Sequence, residues 1–134
     1  MSRTIEEIED DHGGLLRYRK HPNGRGMVAV GATVDETAFV EPNAYVESRV
    51  QVGKRARIGA GSWVESDAIV GPSAVLGSNV HVGAGARIGV GAKVGSYSRI
   101  GENARIGDGA LLEGDTTIAP NAVIPGRAGF ARAA

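Results

Sequence analysis

The chain contains no cysteine. That excludes disulfides, thiolate zinc sites and thiol nucleophiles. Aromatic residues are only 4% of 134 residues, so any core must be aliphatic and thin. Proline is scarce, with 5 residues against 21 glycines, which excludes a collagen helix. Charge of either sign is not in excess: Lys+Arg and Asp+Glu both number 15. A general nucleic-acid binder or a polybasic membrane anchor is therefore not expected. No apolar run approaches the roughly 18 residues of a membrane span. The first thirty residues are charged and lack the apolar core of a signal peptide. These absences place the chain in the cytoplasm or in a virion.

What is present is a repeat. From Val28 to Ile124 an aliphatic residue returns every six positions without a miss, as at Val46, Val52, Ile58, Val64 and Val70. Two positions before each, from Ala32 to Ala122, stands a small or β-branched residue: alanine eleven times, otherwise Val, Ser or Thr. Side chains alternate along a strand, so these two positions point inward together and the residue between them points out. Three positions after the aliphatic residue stands Gly, Asn or Asp in eleven of sixteen units. These residues tolerate positive φ, so each unit ends in a sharp corner. Three corners close a triangle of eighteen residues. The spacing predicts an all-β solenoid of nearly six triangular coils over residues 28–126, about 27 Å long at the usual strand separation.

The stretches Ile58-Gly59-Ala60-Gly61-Ser62-Trp63 and Ile106-Gly107-Asp108-Gly109-Ala110-Leu111 carry a resemblance to the bacterial transferase hexapeptide family. That resemblance implies a left-handed parallel β-helix, and a homotrimer, since members commonly associate in threes. The segment His21-Pro22-Asn23-Gly24-Arg25-Gly26-Met27-Val28-Ala29 resembles the lead-in to the repeats of some phage and prophage hexapeptide proteins.

Residues 1–27 form an arm outside the repeat, and residues 127–134 form a tail. Ile5-Glu6-Glu7-Ile8-Glu9 reads as a short acidic helix capped by Ser2 or Thr4. Leu15 to Lys20 is either an extended segment or another helical turn. His21-Pro22-Asn23-Gly24 reads as a turn. Ile5, Ile8, Leu15, Leu16 and Tyr18 are too few for a core and must find a surface. The open first coil is one surface, with residues nearest Gly26 as a cap. A partner protein lattice is the other, with residues before Gly13 as a tether.

Residues eighteen apart stack on one outer face. The first face reads Tyr45, Trp63, His81, Arg99, Thr117, with Met27 at its start. The second reads Thr33, Gln51, Ile69, Arg87, Arg105, Val123, and the third Phe39, Arg57, Val75, Lys93, Leu111. The interface and binding candidates are Tyr45, Trp63, His81 and Arg99, as a ladder in a trimer contact or as a surface for a protein or a sugar. His81 is the one catalytic candidate. Among acyltransferases of the resembled family a histidine serves as general base. Against that role, no loop leaves the helix, no terminal helix follows it, and Arg99 is the nearest charged neighbour in the column. A base needs an orienting carboxylate, and the column supplies none. Zinc enzymes on this helix use three histidines; here His12 and His21 lie in the arm and His81 alone in the solenoid, so no metal and no cofactor are expected.

The sequence points first to a non-enzymatic structural or interaction module. It would be a rigid trimeric prism attached through its arm, such as a capsid decoration or tail protein. The alternative is a small acyltransferase using an acyl-CoA donor.

Overall fold

A computed structural model describes residues 5–9 and 15–127. Every element in it is a strand. β1 spans Ile5–Glu9, β2 Leu15–Lys20 and β3 Met27–Ala29. Two-residue strands then recur every six residues, from β4 at Thr33–Val34 to β19 at Val123–Ile124. From β3 onward they pair in parallel at a spacing of eighteen residues and form three sheets. The seventeen strands β3 to β19 make five full turns and two sides of a sixth. The architecture is a parallel β-solenoid of triangular section, consistent with left-handed winding.

The expected register holds. Met27 lies beside Tyr45, Tyr45 beside Trp63, Trp63 beside His81, His81 beside Arg99 and Arg99 beside Thr117. Inside, the aliphatic residues and their alanine partners form one continuous core from Val28 to Ile118. The corners explain the glycine and asparagine pattern. Fourteen successive corner residues, from Asn43 to Asn121, have positive φ. Arg49, Arg55, Ser73 and Tyr97 do so without the usual residue types, at a cost of about 1–2 kcal/mol each. Their compensation is that the corner aims its amide at the preceding coil. Ser73 N–H donates to Lys54 O at 2.8 Å and Tyr97 N–H to Ser78 O at 2.9 Å.

Two serines replace inward alanines on the first-face corner. In an ordinary corner the amide closes its own turn, as Ala74 N–H does to Gly71 O at 3.1 Å. At the next corner a hydroxyl from the coil below is inserted instead. Val80 N–H donates to Ser62 Oγ at 3.0 Å, and Ser62 Oγ–H donates to Gly77 O at 2.8 Å. Ser98 makes the same link to Thr116 N–H and Glu113 O. Ser62→Ala strands a buried donor and its acceptor. Denaturant unfolding is expected to show a loss of about 1–3 kcal/mol. A midpoint equal to the wild type would mean that the corner closes on itself without the hydroxyl.

The arm corrects one expectation. Ile5–Glu9 is not a helix but β1, antiparallel to β2 with Ile5 opposite Arg19, Ile8 opposite Leu16 and Glu9 opposite Leu15. Five residues gain little from a helix, whose first turn costs more order than it returns. As a strand they complete the edge of β2, with Glu7 opposite Arg17 in register. Residues 1–4, 10–14 and 128–134, which hold Ser2, Thr4, His12, Gly13 and Phe130, lie outside the described residues.

β2 in turn pairs antiparallel with β3, placing Tyr18 opposite Ala29. The turn after it lies across the open end of the third face. Gly26 N–H donates to Val40 O, His21 Nε2 bonds to Ala38 O at 2.9 Å, and Asn23 Nδ2 donates to Ala38 O at 3.1 Å. At Gly24, where φ is 103°, a Cβ would stand 2.3 Å from Val40 O. Only glycine lets the turn lie that close. The arm thus satisfies the solenoid's first edge on two of three sides.

Candidate functional site

The site lies on the first face, where β6 (Tyr45–Val46), β9 (Trp63–Val64), β12 (His81–Val82), β15 (Arg99–Ile100) and β18 (Thr117–Ile118) stack. Their first residues point outward because their second residues are committed to the core. Trp63 and His81, one coil apart, stack face to face with centroids at 4.7 Å and planes 12° apart. Tyr45 instead meets Tyr18 of the arm edge-on, at 5.5 Å. Arg99 follows His81 in the ladder.

The carboxylate that the column lacks comes from the corner. Most units carry glycine just after the inward aliphatic residue, but Glu47 and Glu65 occupy that position on the first face. From there a side chain leans onto the outward residue sixteen positions later. Glu47 Oε2 accepts from the Trp63 indole N–H at 2.8 Å. Glu65 Oε2 is bonded to His81 Nε2. A carboxylate oxygen accepts, so the Glu65 contact favours a proton on Nε2, and in that tautomer of the neutral ring the lone pair is on Nδ1. The expectation that His81 has no orienting carboxylate is therefore wrong. Counting only the column hid Glu65, which reaches His81 from the corner.

In the following coils Gly83 and Gly101 stand where Glu47 and Glu65 stood. Without side chains there, the corner beyond His81 stays open. It forms a groove of about 320 Å³ walled by Glu65, His81, Arg99, Glu102, Thr117 and Pro120. The His81 and Glu65 side chains remain 30% and 27% exposed, open to a ligand. A second groove, of about 360 Å³, lies on the second face between Asp35, Lys54, Ile69 and Pro72. Its carboxylate is already engaged. Asp35 accepts from the Thr37 hydroxyl at 2.6 Å and the Thr37 amide at 2.9 Å, and these bonds hold it below the usual carboxylate range. Of these two grooves, the first-face one has the oriented imidazole.

Tyr18, an arm residue, belongs to this face. It is 3% exposed and donates its phenol to Glu47 Oε1 at 2.6 Å. Burial, then that bond, pushes the phenol above its ordinary value of 10.0. The folded chain thus keeps a proton that the unfolded chain releases, so stability is expected to fall as pH rises above about 10. Tyr18→Phe removes that slope; an unchanged slope in unfolding measured between pH 9 and pH 11 would contradict it. Ile5, Ile8, Leu15 and Leu16 are placed by register in β1 and β2. The described residues include no group of three or more His, Cys, Asp or Glu able to hold a metal. His21 is buried in the cap, far along the chain from His81. No helix of the described residues is long and apolar enough to cross a membrane.

No protein-family model and no curated protein matches the chain. Solved structures do. A histidine-to-alanine mutant of GDP-perosamine N-acetyltransferase from Caulobacter crescentus, in complex with CoA and GDP-perosamine, is 22% identical. It superposes with a TM-score of 0.71 over 74% of this chain and 49% of its own. The acetyltransferase domain of PglB from Neisseria gonorrhoeae, in complex with acetyl coenzyme A, is 21% identical over 80% of this chain and 56% of its own, with a TM-score of 0.45. A hexapeptide transferase family protein from Anaplasma phagocytophilum is 14% identical over 74% and 69%, with a TM-score of 0.41. This chain spans about half the length of the first two. The fold is that of the hexapeptide-repeat transferases.

These findings overturn the expectation of a non-enzymatic structural or interaction module such as a capsid decoration or tail protein. The solenoid in the Caulobacter structure belongs to an acetyltransferase holding CoA. One of the physical objections to catalysis, an unoriented His81, fails on the Glu65 bond.

Proposed function

We propose that this chain is an acyltransferase that moves an acyl group from an acyl-CoA donor to an amine or hydroxyl acceptor. The observation that carries the reading is the His81–Glu65 bond at the wall of the first-face groove. His81 Nδ1 takes the proton from the acceptor nitrogen or oxygen as that atom attacks the thioester carbonyl. The tetrahedral intermediate collapses, the C–S bond breaks, and the thiolate leaves and takes the proton held on the imidazole. Glu65 fixes the ring's tautomer and stabilises the imidazolium formed in between. Arg99 offers a positive charge beside the reacting centre.

The groove is open on its outer side, whereas such a reaction needs water excluded. The reading therefore includes a homotrimer in which a second copy of the chain closes the groove. Light scattering on a sizing column is expected to give about three times 13.8 kDa. The direct test of the donor is a melting scan with acetyl-CoA. A ligand that binds only the folded chain stabilises it by about 2.7 kcal/mol at one hundred times its Kd. The melting temperature is expected to rise with donor concentration. No rise at millimolar acetyl-CoA would overturn the reading.

A further inference from the structure

We propose that the strand preceding the solenoid positions the base: Tyr18, Glu47 and Trp63 form a relay that fixes the His81 ring. The proposal rests on the acyltransferase reading for His81's role and on geometry for everything else.

Each link is made by a group with no freedom to spare. Tyr18 is buried between the arm and the first coil, against Met27, Ala29 and Tyr45. Its phenol donates to one oxygen of Glu47 at 2.6 Å, and the other oxygen accepts the Trp63 indole N–H at 2.8 Å. A carboxylate held at both oxygens cannot swing, so the indole it binds is fixed in rotation. That indole covers one face of the His81 imidazole at 4.7 Å. Glu65 holds the ring's Nε2 edge. Stacking sets the plane of the imidazole and Glu65 sets its rotation within that plane, so Nδ1 has one direction left. Trp63 is 46% exposed, an unusual setting for the chain's one tryptophan. The relay accounts for it: one face of the ring is used on His81 and its N–H on Glu47. Tyr18, Glu47 and Trp63 are positioning residues, since none of them needs to touch the acceptor.

The arm thereby couples to the site. Two strands outside the repeat would otherwise serve only the solenoid's edge. Through Tyr18 their docking also determines where the base points, so arm displacement should lower turnover without weakening donor binding.

The test reads His81 directly in the whole protein with no acyl donor added, so it does not depend on turnover. Imidazole proton and nitrogen resonances are recorded for the wild type and for Tyr18→Phe, Glu47→Ala and Glu47→Gln. The wild-type ring protons should be shifted upfield by the Trp63 ring, with Nε2 protonated. Tyr18→Phe and Glu47→Ala should move them toward free-imidazole values. Glu47→Gln, which keeps an acceptor oxygen, should retain part of the shift. Asn23→Ala loosens the cap without touching the relay and serves as the stability control; it should lower the melting temperature and leave the His81 resonances in place. Unchanged resonances in Tyr18→Phe and Glu47→Ala would overturn the relay. So would an equal shift in Asn23→Ala, because general loosening would then account for the effect. If the resonances move as expected while acetyl-CoA does not bind, the relay stands and the acyltransferase reading falls.

Discussion

Replacing His81 with alanine is expected to lower kcat/KM for acyl transfer by about 10²–10⁴-fold, the usual contribution of a positioned acid–base group. The measurement is CoA thiol released in the presence of an amine acceptor. The fall should be almost wholly in kcat, because proton removal occurs in the transition state and not on donor binding. The thermal stabilisation by acetyl-CoA should survive the substitution. Glu65→Gln should cost less than His81→Ala. The amide can still accept from Nε2–H through its oxygen, but it no longer stabilises the imidazolium. If His81→Ala turned over at the wild-type rate, proton transfer would have to occur elsewhere in the groove and the assignment of the base would be lost.

The second large effect concerns the core and depends on position along the prism. Leu76 is 1% exposed and lies between Ile58 and Val94 in successive coils. Ladder bonds fix the backbone on both sides: Gly59 N–H donates to Leu76 O and Gly77 N–H to Val94 O, each at 2.9 Å. A cavity at Leu76 therefore cannot collapse. Leu76→Ala is expected to cost about 2–5 kcal/mol. Ile124 stands at the other extreme: among the described residues β19 pairs only with β16, which places Ile124 beside Ile106, and it is half-buried. Ile124→Ala removes as many carbons but less buried surface, and the end coil can relax around the gap. Its cost should be well under half that of Leu76→Ala. Equal costs would mean that the last coil is as tightly enclosed as the third, contrary to the stacking.

Much of this architecture is legible in the residues. The aliphatic residue at Val46, Val64, Val82 and Ile100 recurs because one strand position must always face the axis. Strand alternation then places Tyr45, Trp63, His81 and Arg99 on one outer face, where the structure has them. The site is only half legible. Stacking by eighteen finds Trp63 and His81 but not Glu65, because Glu65 reaches His81 across a corner at a spacing of sixteen. The available signal was the exception to the glycine rule: Glu47 and Glu65 on the first face, against Gly83 and Gly101 in the next two coils. Ile5–Glu9 misleads for a different reason. Its composition suits a short acidic helix, while its partner, β2, is decided by where the arm docks and not by any local pattern. Tyr18 escapes for the same reason, since its link to Glu47 spans 29 residues.

The central claim is that an acyl-CoA donor binds at the first-face groove beside an oriented His81. Titrating acetyl-CoA into the protein while observing the His81 ring resonances tests it most directly. The account predicts a saturable shift of those resonances, with a midpoint matching the donor concentration that raises the melting temperature. Resonances that stay fixed up to millimolar acetyl-CoA would contradict it.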